Sequence, residues 1–161
     1  CGYCLILLYV WIGGSGMIVQ FIAGVVSCIG FAYLFNCPQK AILKAAIVGG
    51  LGWLMYDYAV HFWHLSVVVS TFLGTLVLAI GCEILARIEK DAVTIFIIPA
   101  ILPLVPGAGL YYTLLYFIEG EFSLAAAKGF DTLGCAAGIA IGIIFVSSLT
   151  RFLTHLRKGG R

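Results

Sequence analysis

Ile98-Pro99-Ala100-Ile101-Leu102-Pro103-Leu104-Val105-Pro106-Gly107-Ala108-Gly109-Leu110-Tyr111-Tyr112 decides the fold, because it is an apolar run that cannot form one regular helix. Each proline lacks a backbone donor, and its ring clashes with the carbonyl four residues back. Three of them between positions 99 and 106 must break the segment. In hydrocarbon, backbone groups freed in this way persist only where protein or a water-filled cavity satisfies them. Transporters place substrate and ion sites at discontinuous helices of this kind. Gly107 and Gly109 let the backbone turn or approach a ligand closely, and Tyr111 and Tyr112 add hydroxyls beside it. The plainer alternative is a proline kink that serves helix packing alone.

Composition says that the solvent is hydrocarbon. Of 161 residues 63% are hydrophobic and 10% charged, and the mean hydropathy is +1.14. A soluble domain carries roughly 25% charged residues, so this chain lacks the polar surface to face water all round. The length is therefore counted in spans of about 20 apolar residues. Five emerge outward from the quoted stretch, giving an all-α integral membrane protein. The broken fourth runs from Ala92 to Ile118. Before it lie Met17 to Phe35, Ala41 to Val60 and Leu65 to Leu85, and after it Leu124 to Leu149.

The domain plan is 1–16 as an upstream segment or linker scar outside the fold, 17–150 as the transmembrane domain and 151–161 as a basic tail. Gly13-Gly14-Ser15-Gly16 has linker composition, and Met17 reads as the natural start. Five spans place eight of the nine Lys and Arg residues on one side, with Lys128 alone on the other. By the positive-inside rule the amino terminus is outside and the carboxyl terminus cytoplasmic, as in a cell or plasma membrane protein.

A net charge of +2, with basic residues scattered in pairs, excludes nucleic-acid binding. No G-x-S-x-G elbow, phosphate loop or H-E-x-x-H helix is present, so enzyme chemistry is not expected. No cofactor is implied. The six cysteines read as small hydrophobes, and Cys1-x-x-Cys4 lacks the companions of a metal or redox site. His61 and His64 lack a third ligand and read as interfacial.

Asp57 and Asp131 are the acidic groups closest to membrane depth. A carboxylate retained in a span usually faces a cavity and serves protons, ions or substrate, while the nearby span ends leave snorkelling open for both. Glu83 and Arg87, four apart, read as a structural pair with gating as the alternative. Gly134, Gly138 and Gly142 form a small-residue stripe that permits close helix packing. The stripe's partner belongs to this chain or to another, which leaves a homo-oligomer open.

Phe35-Asn36-Cys37-Pro38, Glu83-Ile84-Leu85-Ala86-Arg87, the Ile98 to Tyr112 segment and Asp131-Thr132-Leu133 resemble, in this order, the small subunit of the threonine/serine exporter family. The resemblance runs from about Met17 to Leu149. It implies a half-transporter that works with a larger membrane subunit and moves a small polar metabolite such as threonine or serine. Because the family includes a proposed succinate exporter, a dicarboxylate is the alternative, and a non-transporting scaffold subunit is another. Carried over by position, the pathway candidates are Asn36, Pro38, Pro99, Pro103, Pro106, Gly107, Tyr111, Tyr112 and Asp131, the last standing where the family pattern suggests Glu. With no nucleotide-binding motif, the expected drive is the proton gradient, with Asp131 or Asp57 as the carrier.

Overall fold

The computed structural model describes the backbone of residues 17–159 and the side chains as far as Phe152. The linker reading of 1–16 and the Cys1-x-x-Cys4 pair lie outside the described residues. Within them every element is helical: α1 (Met17–Leu34), α2 (Gln39–His61), α3 (Val67–Glu89), α4 (Val93–Ile101), a 3-10 turn (Leu102–Leu104), α5 (Gly107–Ile118) and α6 (Phe122–Gly159). The fourth pass is broken by its prolines, with α4 plus the 3-10 turn meeting α5 at a bend of 48°.

Among the described residues three helices, α1, α3 and α6, are by length and composition able to cross a membrane alone, and the bent pair counts as a fourth when taken as one span. The remaining helix, α2, carries Lys40, Lys44 and Asp57, and its 23 residues include Gly49, Gly50 and Gly52. It does not need an apolar surface all round, because α1, α3 and α4 pack against it. Helix α6 continues beyond the last apolar residues through the basic 151–159 segment without interruption.

Three helix ends use one device. Asn36, Lys90 and Gly120 adopt left-handed φ values of 52°, 58° and 83°. In each case the next N–H reaches back to a carbonyl of the final turn: Cys37 to Ala32 at 3.0 Å, Asp91 to Ala86 at 3.2 Å and Glu121 to Tyr116 at 2.9 Å. This satisfies carbonyls that a helix end would otherwise leave unpaired.

Helix order in space is α1–α2–α3–α6–α5, with α4 set between α2 and α3 and touching α1. Phe96, Ala100 and Leu104 of the broken pass enter the core formed by Ala41, Ala45, Val48, Leu78, Cys82 and Ala86. Glycines set these distances. A Cβ built on Gly74 would fall 2.7 Å from the Gly52 carbonyl oxygen and 2.8 Å from Leu104 Cδ2, so α3 meets both α2 and the break there without a side chain between. The stripe on α6 faces α3 of the same chain: a Cβ on Gly134 would lie 2.9 Å from Val68 Cγ2, and one on Gly142 3.0 Å from Thr75 Cγ2.

Gly74→Ala is expected to destabilise the detergent-solubilised protein by about 1–3 kcal/mol, the usual cost of overpacking. Gly30→Ala, where a Cβ meets nothing within 4 Å, is expected to be neutral or stabilising by up to about 1 kcal/mol. Thermal unfolding of the two variants side by side checks this, and equal loss in both would refute the close-contact reading.

Candidate functional site

The chemistry of the broken pass follows from its missing donors. Pro99, Pro103 and Pro106 take away the partners four residues on for the carbonyls of Ile95, Pro99 and Leu102. Leu102 recovers one, because Val105 N–H donates to it at 3.2 Å. The Pro106 backbone, at φ −76° and ψ 57°, makes an inverse γ-turn closed by Gly107 N–H donating to the Val105 carbonyl at 2.7 Å. Leu110 N–H donates to Pro106 O at 3.2 Å, and no side chain caps the start of α5.

The two halves of the pass have different surroundings. Pro99 and Ala100 are fully buried. Cys28 Sγ donates to the Ala100 carbonyl at 3.8 Å, and a Cβ on Gly49 would fall 2.9 Å from that same oxygen. Beyond the bend the pass emerges from the core. No residue of α5 is buried, and Gly107, Ala108, Leu110, Tyr111 and Tyr112 are exposed on the surface of the chain. Only α6 supports α5 extensively. A Cβ on Gly109 would overlap Thr132 Oγ1, and one on Gly129 would lie 3.3 Å from Thr113 Cγ2.

These contacts fix the levels of the candidates. α5 and α6 run antiparallel about Gly120, whereas α3 and α6 run parallel, with Gly134 beside Val68 and Arg87 Nη2 donating to Thr150 O at 3.2 Å. Gly109, Thr132 and hence Asp131 therefore lie near the level of the α2–α3 turn, the end remote from most of the Lys and Arg. Past that level the α5–α6 hairpin continues for roughly 16 Å at 1.5 Å per residue. Asp131 is exposed there, next to the residue that touches Gly109. The Tyr111 and Tyr112 rings meet edge-on at 5.4 Å, and Tyr112 stacks on Tyr116 at 6.3 Å. Asp57 is on the last turns of α2, with its Oδ1 3.1 Å from His61 Nδ1.

Asn36 and Pro38 are at the opposite, basic end. Phe35 to Pro38 and the first turns of α4, at Thr94, Ile95 and Ile98, line an open recess of about 280 Å³ at the surface of the chain. The structure thus brings Asn36 and Pro38 against α4 but not against the α5 candidates. Asn36 also has a backbone duty, since Asn is among the few residues that tolerate the left-handed region it occupies.

Sequence reasoning missed the tie across this end. Lys44 of α2 forms an ion pair with Glu89 of α3, and 45 residues of separation left no local spacing to reveal it. It also missed the use of Gln20, the one strongly polar residue of α1, whose Oε1 accepts from Trp53 Nε1 at 3.1 Å. A lone amide in an apolar span was the available signal.

A chain of apolar helices, one of them interrupted and half uncovered, has the character of a multi-pass membrane protein. The model of the family described as "Threonine/Serine exporter, ThrE" matches residues 20–149, and the chain belongs to that family. It is also similar to a protein of Haemophilus influenzae described as "Uncharacterized protein", at 28% identity over 95 residues. That match takes in 58% of this chain and only 31% of the relative. No solved structure matches.

Because the Lys44–Glu89 pair is partly exposed, with side chains 42% and 25% accessible, its worth is expected to be modest. Lys44→Gln is expected to cost about 0.5–1 kcal/mol, and the reversed pair Lys44→Glu with Glu89→Lys to regain most of it. A double-mutant cycle on thermal unfolding reads this, and a coupling of zero would remove the pair as a tie between α2 and α3.

Proposed function

We propose that this chain is one wall of a secondary exporter that moves threonine, serine or a similar small polar metabolite out of the cytoplasm, and that a larger membrane subunit supplies the facing wall. The observation that carries this reading is the uncovered half of the broken pass. The start of α5 presents backbone and two tyrosines on the outside of the chain, and exposed polar backbone is costly in lipid. A second protein surface closing over it would convert that cost into a lined passage. The relative in which the matched region is under a third of the length is in keeping with a half that is elsewhere part of a longer chain.

Proton coupling is assigned to Asp131. It is exposed on α6 one residue before the Thr132 contact with Gly109, so a proton bound there sits beside the route leaving the break. Asp57, already beside His61, is given a structural duty instead. By the distribution of Lys and Arg the recess end is cytoplasmic and the α5–α6 hairpin points outward.

Vesicles containing the chain together with its neighbouring membrane protein test the reading through threonine efflux under an imposed pH gradient. Asp131→Asn is expected to abolish the response to the gradient, by about 5- to 150-fold for a coupling free energy of ordinary size. Asp57→Asn is expected to retain it. Gradient-driven export that survives Asp131→Asn removes Asp131 from the mechanism, and absence of export by the unmodified pair removes the exporter reading.

A further inference from the structure

We propose that the basic end of the α3–α6 pair is a binding site for an anionic phospholipid, whose phosphate is held at Arg87 and Arg151 and whose acyl chains lie on the apolar surface of the two helices. The proposal goes beyond the exporter reading and does not depend on it.

Depth decides what these arginines can meet. α3 has 23 residues and is therefore about 34 Å long, close to the roughly 30 Å of a hydrocarbon core. Its last turn stands at the edge of the acyl region. Arg87 is in that turn, and its Nη2 donates to Thr150 O at 3.2 Å, which brings Thr150 and Arg151 of α6 to the same depth. α6 does not end there. Its helix continues to Gly159, about 12 Å past Arg151, through a headgroup layer that is about 5–8 Å deep on each side.

Charge at this depth is uncompensated. Eight of the nine Lys and Arg residues are at this end, against Glu83, Glu89 and Asp91. Glu89 is engaged by Lys44. After Asp131 the chain contains no acidic residue, so Arg151, Arg157, Lys158 and Arg161 have no acid in their own segment to pair with. Arg87 and Arg151 are both exposed. A guanidinium presents a rigid fork of donors that matches a phosphate, and basic residues immediately outside a span attract anionic headgroups.

The surface on the hydrocarbon side of the two arginines is apolar. Within about two turns, Ile80 and Ile84 of α3 and Ile144 and Phe145 of α6 are large exposed hydrophobic side chains. A ligand that suits both layers is an amphiphile with an anionic head, whereas a soluble anion would use only the outer one.

The full chain in phosphatidylcholine vesicles tests this with trace spin-labelled phosphatidylglycerol or phosphatidylcholine, whose motionally restricted fractions give the preference for the anionic lipid. The unmodified chain is expected to prefer phosphatidylglycerol. Arg151→Gln is expected to lower that preference about fivefold, the worth of one basic residue near the membrane surface, and adding Arg87→Gln to lower it again by a similar factor. Lys40→Gln removes an equal charge from α2 at the same end and is expected to change the preference less than about twofold. Arg151→Lys, which keeps the charge and guards against a variant that fails to fold, is expected to retain most of it. Inorganic phosphate in large excess is expected not to displace the labelled lipid.

An unmodified chain without preference overturns the proposal. So does an equal loss in Arg151→Gln and Lys40→Gln, which would make the effect one of total charge rather than of the α3–α6 junction. Displacement by inorganic phosphate would make this a site for free anions and overturn it as well.

Discussion

Everything in this chain is arranged around backbone amides that the fourth pass does not possess. Pro99, Pro103 and Pro106 cannot donate, and in a medium without water the acceptors they abandon must be sheltered by protein or left at a wet surface. The first half of the pass takes the first solution. Phe96, Pro99, Ala100 and Leu104 are buried among α1, α2 and α3, and the close approaches at Gly49 and Gly74 make room for backbone where a side chain would stand. Small residues let helices come near enough for dispersion and weak Cα–H and S–H contacts to replace a hydrophobic force that lipid does not supply.

The second half does not take that solution within one chain. Among the described residues α5 leans mainly on α6, through Gly109 against Thr132 and Gly129 against Thr113, and none of its residues is buried. The far end is thus built differently from the basic end, where Lys44–Glu89 joins α2 to α3 and Arg87 joins α3 to α6. Among the described residues the fold is closed at one end and open along one half-helix.

How much of this was legible depended on whether the signal was local. The break was written in the proline spacing, and α1, α3 and α6 in unbroken apolar runs, because each is a property of neighbouring residues. α2 was harder: Lys44 and Asp57 lower its apolarity, and only its central packing explains why a less apolar helix sits there. The glycine stripe on α6 announced close packing, but its partner, Val68 to Thr75 of α3, is a tertiary fact. The recess joins Asn36 to Thr94 across a turn and two helices, so Asn36 and Pro38 were named through the family resemblance alone, while their neighbourhood with Thr94 is a tertiary fact. Asn36 carried a second message that sequence leaves ambiguous, since the same residue type suits a left-handed helix end and a polar pathway.

The mechanical consequence of the break lies in how few residues can absorb movement between its halves. Leu102–Leu104 is wedged, because Leu104 lies against the site where Gly74 has no Cβ, and α4 is gripped by three helices. α5 is tied by its glycines to α6, which in turn runs along α3. What remains is Val105 to Gly107, an extended residue followed by a γ-turn with a single short hydrogen bond. Hinges are a few element-terminal positions that take up large dihedral changes, and here Pro106 fixes its own φ and holds Val105 extended, leaving ψ at Pro106 and the dihedrals of Gly107 to turn. Any displacement of α5 against the bundle must therefore pass through three residues whose neighbours on both sides are fixed.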